Sequence, residues 1–232
     1  MDENAVKRND RPVAKCALLS VALLFWAIAA HPQSTGDPRL DVRMGSSGNG
    51  YTFTITNLGG IAVTAYVAKA FFPQNKREQV LRTWDSVLAD EAPIEPNGHV
   101  SGGIGVSEND PYPDRVEVVA GIWSDGETFG KEVYLKQLLD AREKRASEFE
   151  SVAKLIQRGL DENWSVDQYL HALDVMPSSL AVYSLSSTLK ANSNTDDPKR
   201  LHHTVLHMLD MFTGSYERIR RAKPAISATT NP

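Results

Sequence analysis

Cysteine is almost missing: Cys16 is the only one in 232 residues. One thiol excludes a disulfide scaffold and any zinc module built on cysteine. Glycine and proline are not in excess, at 15 and 12 residues, which excludes collagen-like and low-complexity chains. There is no surplus of positive charge either. Lys and Arg number 25 against 29 Asp and Glu, for a net charge of −4. The basic face that a general nucleic-acid binder turns to phosphates is therefore lacking, and no nucleic-acid partner is expected. No Gly-x-Ser-x-Gly elbow occurs, so nucleophilic catalysis of that type has no support. What remains is a chain of ordinary composition, long enough for one domain or two small ones.

Its N-terminus has the three parts of a secretory signal. Lys7, Arg8, Arg11 and Lys15 form a basic flank. Residues 16–30 are an uncharged apolar run, and Ala27-Ile28-Ala29 before Ala30 fits a small-x-small cleavage site. The run is about 15 residues, short of the roughly 20 that span a hydrocarbon core as a helix. Residues 1–30 therefore read as a signal peptide, with an uncleaved signal anchor as the alternative. In that alternative, residues 16–30 hold the protein in the membrane and the basic flank stays in the cytoplasm. Cys16 opens the run and does not follow it, so it is not placed for lipid attachment. Its removal leaves a thiol-free chain suited to an oxidising compartment. Residues 31–38, polar and with two prolines, read as a linker.

Residues 39–130 carry a β pattern. Tyr51, Phe53 and Ile55 alternate with Thr52, Thr54 and Thr56, giving one apolar and one wet face. Ile61, Val63, Ala65 and Val67 repeat the period, as do Val116, Val118, Ala120 and Ile122. Residues 40–44, 80–88 and 99–106 are weaker strands. Asn57-Leu58-Gly59-Gly60, Pro96-Asn97-Gly98 and Ser124-Asp125-Gly126 punctuate them, the last as a tight hairpin that needs positive φ. About seven short strands so spaced predict a β-sandwich.

The run Tyr51–Asn57, then residues 61–65, the Pro96-x-Gly98 turn and residues 116–126 resemble the Ig-like, fibronectin-like modules of exported bacterial proteins. Trp123-Ser-Asp-Gly-x-x-Phe-Gly130 followed by a helix is similar to secreted proteins of soil bacteria. The resemblance covers about 90 residues. It implies a sandwich and an export route, and it supplies no activity and no site residues.

After Gly130 the period changes. Leu135, Leu139, Arg142, Ala146, Phe149, Ala153, Ile156 and Leu160 lie on one stripe of a long helix. Arg142 and two alanines suit a dimeric seam poorly, so packing within the chain is expected. Ser165-Val-Asp-Gln168 is a capping box for a second helix carrying Val166, Tyr169, Leu170 and Leu173. Ser178 or Ser179 caps a third, with Leu180, Tyr183 and Leu189. Asp197-Pro198 opens a last one with Leu201, Val205, Met208, Phe212 and Ile219 on its apolar side. The expected class is α+β: an Ig-like antiparallel sandwich over 39–130, a helical region of three to four helices over 131–222, and a flexible tail over 223–232.

Candidate chemistry is sparse. His203 and His207 are i,i+4 neighbours with Asp210 one turn on, and two imidazoles so spaced can share a metal ion. Residues 203 and 210 lie about 10 Å apart along a helix, so a further ligand would be needed. Residues 204–206 lack the glutamate of a zinc-protease motif. The bland reading is a solvent face opposite Val205 and Phe212. Glu108, Asp110 and Asp114 form an oxygen-rich loop without the spacing of an EF-hand. Gly102-Gly103-x-Gly105 has no helix behind it and reads as strand, not as a phosphate loop. Arg218, Arg220, Arg221 and Lys223 complement a helix C-terminus, with contact to an anionic membrane as the sharper reading. Trp84, Trp123 and Trp164 read as packing residues.

No catalytic residues and no cofactor are expected. The expectation is an exported, periplasmic or secreted protein that binds another envelope protein and catalyses nothing. A metal-binding protein or metal-dependent hydrolase using His203, His207 and Asp210 is the second reading. A structural spacer held by an uncleaved signal is the third.

Overall fold

The computed structural model describes residues 36–47, 50–104, 112–192 and 198–222. The signal over 1–30, most of the linker, Glu108, Asp110, Asp197 and the tail over 223–232 lie outside the described residues. The protein is α+β, with two antiparallel sheets followed by helices. The strands are β1 (Leu40–Ser47), β2 (Gly50–Asn57), β3 (Val63–Phe72), β4 (Arg77–Asp85), β5 (His99–Ile104), β6 (Arg115–Trp123) and β7 (Thr128–Gly130). One sheet has the order β1-β2-β5 and the other β4-β3-β6-β7. A one-turn helix, α1 (Ser86–Ala89), follows β4, and four more follow β7. They are α2 (Glu132–Asp161), α3 (Val166–Asp174), α4 (Leu180–Asn192) and α5 (Pro198–Arg221).

The sheets face each other across a shared core. Val42, Phe53 and Ile55 from one meet Tyr66, Ala68, Trp84, Val116 and Val118 from the other. Asn57, fully buried at the end of β2, fixes two loops at once. Its Nδ2 donates to the carbonyls of Ile61 and Ile94 at 2.8 and 2.9 Å, and its Oδ1 accepts from the Gly59 N–H. Its own backbone bonds to Asn97 and Gly98. The strand-ending Asn and the Pro-x-Gly turn thus meet in space. Gly102 is required because a Cβ there would stand 2.6 Å from the Phe53 ring.

Three expectations change in detail. Residues 80–88 do not form one strand. Asp85 turns the chain by accepting from the N–H groups of Val87 and Leu88, which caps α1. β3 does not alternate between core and water, and β6 does so only from Arg115 to Val118. Their outer residues Ala65, Val67, Val119 and Ile122 are buried under Leu138 of α2, with Tyr134 and Leu139 alongside. In α4 the inward residues are Ala181, Leu185 and Leu189, one turn apart, so Leu180 and Tyr183 face solvent.

The long helix packs within the chain. Over its first half α2 covers the four-stranded sheet. Over its second half Val152 and Ile156 join Tyr169, Leu173, Leu185, Val205 and Phe212 in a helical core. Phe149 lies 5.6 Å from Phe212, ring to ring. The described residues all belong to one compact unit. The sheet surface under α2 is apolar, so the helices complete a second core for the sheet as well as their own. None of the helices among the described residues is long and apolar enough to cross a membrane.

Lys69 is the one charge on the outer face of β3, and it is 5% exposed. Its Nζ donates to Glu78 on β4 and to the Tyr134 hydroxyl on α2, tying sheet to helix. Burial opposes the ammonium. The bonds to Glu78 and Tyr134 outweigh it and hold the Lys69 pKa above the ordinary lysine value. The same bond and the Lys69 charge hold the Glu78 carboxyl below the ordinary range. The lysine contribution is complete below its unfolded pKa and is lost as pH rises through the raised value. The glutamate contribution is complete above its unfolded pKa and is lost as pH falls through the lowered value. Stability is therefore expected to fall on both the acid and the alkaline side. In Glu78→Gln the acid-side fall shrinks and the alkaline-side fall weakens with it. Urea unfolding from pH 3 to pH 11 reads this directly, and a superimposable variant profile would contradict it.

Candidate interaction groove

Arg142 is the residue that looked out of place on the apolar stripe of α2. It is 3% exposed, and so is nearly free of water. Its Nε donates to Asp85 Oδ2 at 2.7 Å and its Nη2 to Asp85 Oδ1 at 3.1 Å, a two-pronged ion pair. Nη2 also donates to Thr64 Oγ1 at 3.2 Å, and Nη1 to the Ala222 carbonyl at 2.7 Å. Asp85 lies at the end of β4, Thr64 in β3, and Ala222 just past α5. One side chain therefore joins the sheet to both ends of the helical region. Around it Val87, Ala146 and Ile219 are buried together, with Leu88, Phe149 and Tyr216 beside them.

Beside this junction, α2 and the end of α5 run antiparallel and leave an open groove of about 480 Å³. Its floor is Leu135, Leu139, Ala146 and Ile219, with Arg142 at the base and Thr128 of β7 at one end. Its rim is charged: Glu132, Lys136, Asp140 and Glu143 on α2 and Arg220 on α5. Lys136 pairs with Asp140 at 2.7 Å, and Arg220 lies 3.7 Å from Glu143. An apolar floor with a few polar groups around it is the usual form of a binding cleft, and the volume is within the roughly 300–1,000 Å³ typical of such clefts.

The residues singled out from the sequence are placed as follows. His203, His207 and Asp210 are exposed along α5, opposite the buried Val205, Met208 and Phe212. Among the described residues no three His, Asp, Glu or Cys side chains gather to hold a metal ion. Asp114 of the acidic loop lies beside Arg115 at 3.4 Å. The basic end of α5 is internally paired: Arg218 with Asp90, Arg220 with Glu143, and Arg221 with Glu217. Trp84 and Trp123 are in the sandwich core. Trp164 lies edge-on to Tyr169 at 5.4 Å, in the helical core. Leu135, Leu139, Ala146 and Ile219 stood on apolar stripes in the sequence. Asp85 carried no signal, since nothing local distinguishes it from the other carboxylates.

No protein-family model, no curated protein and no solved structure matches the chain.

Proposed function

We propose that the protein is an exported, non-catalytic protein-interaction module, with the groove between α2 and α5 as its contact surface. The observation that carries this reading is the groove itself: an open apolar floor with a charged rim, set where sheet and helices are locked together. A contact surface on elements whose side chains are already fixed loses little further freedom on binding. The export half of the reading rests on the basic flank and apolar run of residues 1–30. Membership of the Ig-like, fibronectin-like class is supported by the arrangement of β1-β2-β5 against β4-β3-β6-β7, with hairpins at β1–β2, β3–β4 and β6–β7.

The test is capture from an envelope fraction of the source cell with the full chain as bait. Three baits are compared: wild type, the double variant Leu135→Asn, Leu139→Asn, and Thr54→Lys on the open face of the three-stranded sheet. A protein held by wild type and Thr54→Lys and lost with the double variant is the expected result. Retention by all three, or no retained protein, would overturn the assignment of the groove.

A further inference from the structure

We infer that the occupant of the α2–α5 groove is an amphipathic helical segment of a partner protein, with an apolar stripe and a cationic side chain at one end of it. The inference rests on the binding-module reading and narrows it to one class of partner. The floor determines the form of the occupant. Leu135, Leu139 and Ala146 mark a track of twelve residues on α2, about 16 Å from end to end at the rise of a helix. That length matches three turns of a docked helix. The floor offers hydrocarbon and almost no backbone group to pair with. An extended peptide laid there would leave its N–H and C=O groups unsatisfied, whereas a helix satisfies its own. Two helices already form the walls, so a third lies along them as in ordinary helix packing.

The rim determines the charge of the occupant. Lys136 and Arg220 are both engaged, with Asp140 and Glu143. Arg142 is neutralised by Asp85. Glu132, at the Thr128 end, has no ion-pair partner among the described residues. The rim therefore has one carboxylate in excess, and its complement is a cation placed beside the first turn of α2.

The test uses two fluorescein-labelled synthetic 18-residue amphipathic helices, one of leucine and lysine, the other of leucine and glutamate. Binding to the full chain is read by anisotropy at physiological salt. The lysine peptide is expected to bind about tenfold more tightly than the glutamate peptide. Leu135→Asn with Leu139→Asn should weaken it about tenfold, the scale of losing a central anchor pair. Glu132→Lys should reduce the preference about threefold, and Asp167→Lys, on the distant α3, should leave it unchanged. Leu135 and Leu139 are only half-buried, so these variants should fold, and their melting curves check that.

Equal loss with Asp167→Lys, or no loss with the leucine pair, would overturn the inference by showing general attraction to the surface. A dimer in the ultracentrifuge that dissolves in the leucine variant would also overturn it, by placing a second copy in the groove. If neither peptide binds while envelope capture still depends on Leu135 and Leu139, the helical occupant is refuted and the binding module stands. If that capture fails too, both are refuted.

Discussion

Replacing Arg142 with alanine is expected to cost about 3–5 kcal/mol, the scale found when one member of a buried ion pair is removed. The loss is large because three groups are left behind. The Asp85 carboxylate, 7% exposed, loses its guanidinium partner. The Ala222 carbonyl and the Thr64 hydroxyl lose a donor. For a chain of this size, melting should fall by roughly 6–20 °C. Coulombic attraction alone is not the reason, because burying both charges has its own cost. The paired variant Arg142→Met with Asp85→Asn separates the two effects. Asparagine still caps α1, and no charge is stranded, so this variant should recover most of the loss. Denaturant unfolding checks both. An alanine variant within about 1 kcal/mol of wild type would remove the junction from the account.

Replacing Gly130 with alanine should be nearly as damaging, for a steric reason. Gly130 closes β7 just before α2, at φ +95°, where a side chain is strained whatever the space around it. A Cβ there would also stand 2.2 Å from the Val119 carbonyl oxygen and 2.6 Å from the Ala120 Cα. Both are backbone atoms of the central strand β6, so no rotamer change relieves the contact. The Val119 carbonyl already accepts from the Lys131 N–H at 2.8 Å, the bond that starts the turn into α2. A loss of at least about 3 kcal/mol is expected. Gly60 is the control: a Cβ there meets nothing within 4 Å and its φ is not positive. Gly60→Ala should stay within about 0.5 kcal/mol of wild type. Comparable losses at the two glycines would mean that the junction has no special geometry.

Much of the fold is legible in the sequence because the signals are local. The alternation of Tyr51, Phe53 and Ile55 with three threonines needs only the period of a strand. The capping box of Ser165 and Gln168 is present with both of its bonds. What is not legible depends on elements far apart. β3 and the later part of β6 are buried on both faces because α2 covers the outer one, and the charges on that face are Lys69 of β3 with Arg115 and Glu117 of β6. The buried side of α2 also shifts along its length, from Leu138, Arg142 and Ala146 to Val152, Ile156 and Gly159. It meets a sheet first and a helix afterwards, so one repeat could not describe both halves. Arg142 announced itself as a cation on an apolar stripe, which requires a buried acid. With 29 Asp and Glu in the chain, the sequence had no means of selecting Asp85. The groove was hidden for the same reason. Its two walls come from stretches of helix more than seventy residues apart in the chain, 132–146 and 219–220, and only their antiparallel packing brings Ile219 beside Leu139.

Sheets and helices are expected to unfold as one cooperative body, with the groove at its seam. Native-state hydrogen exchange in low denaturant tests it most directly. Amides of Val118 to Ile122 in β6 and of Ala146 to Ile156 in α2 are predicted to exchange through the same opening. They should then share one free energy and one denaturant slope. Exchange of the α2 amides through a smaller opening that leaves β6 protected would contradict the account.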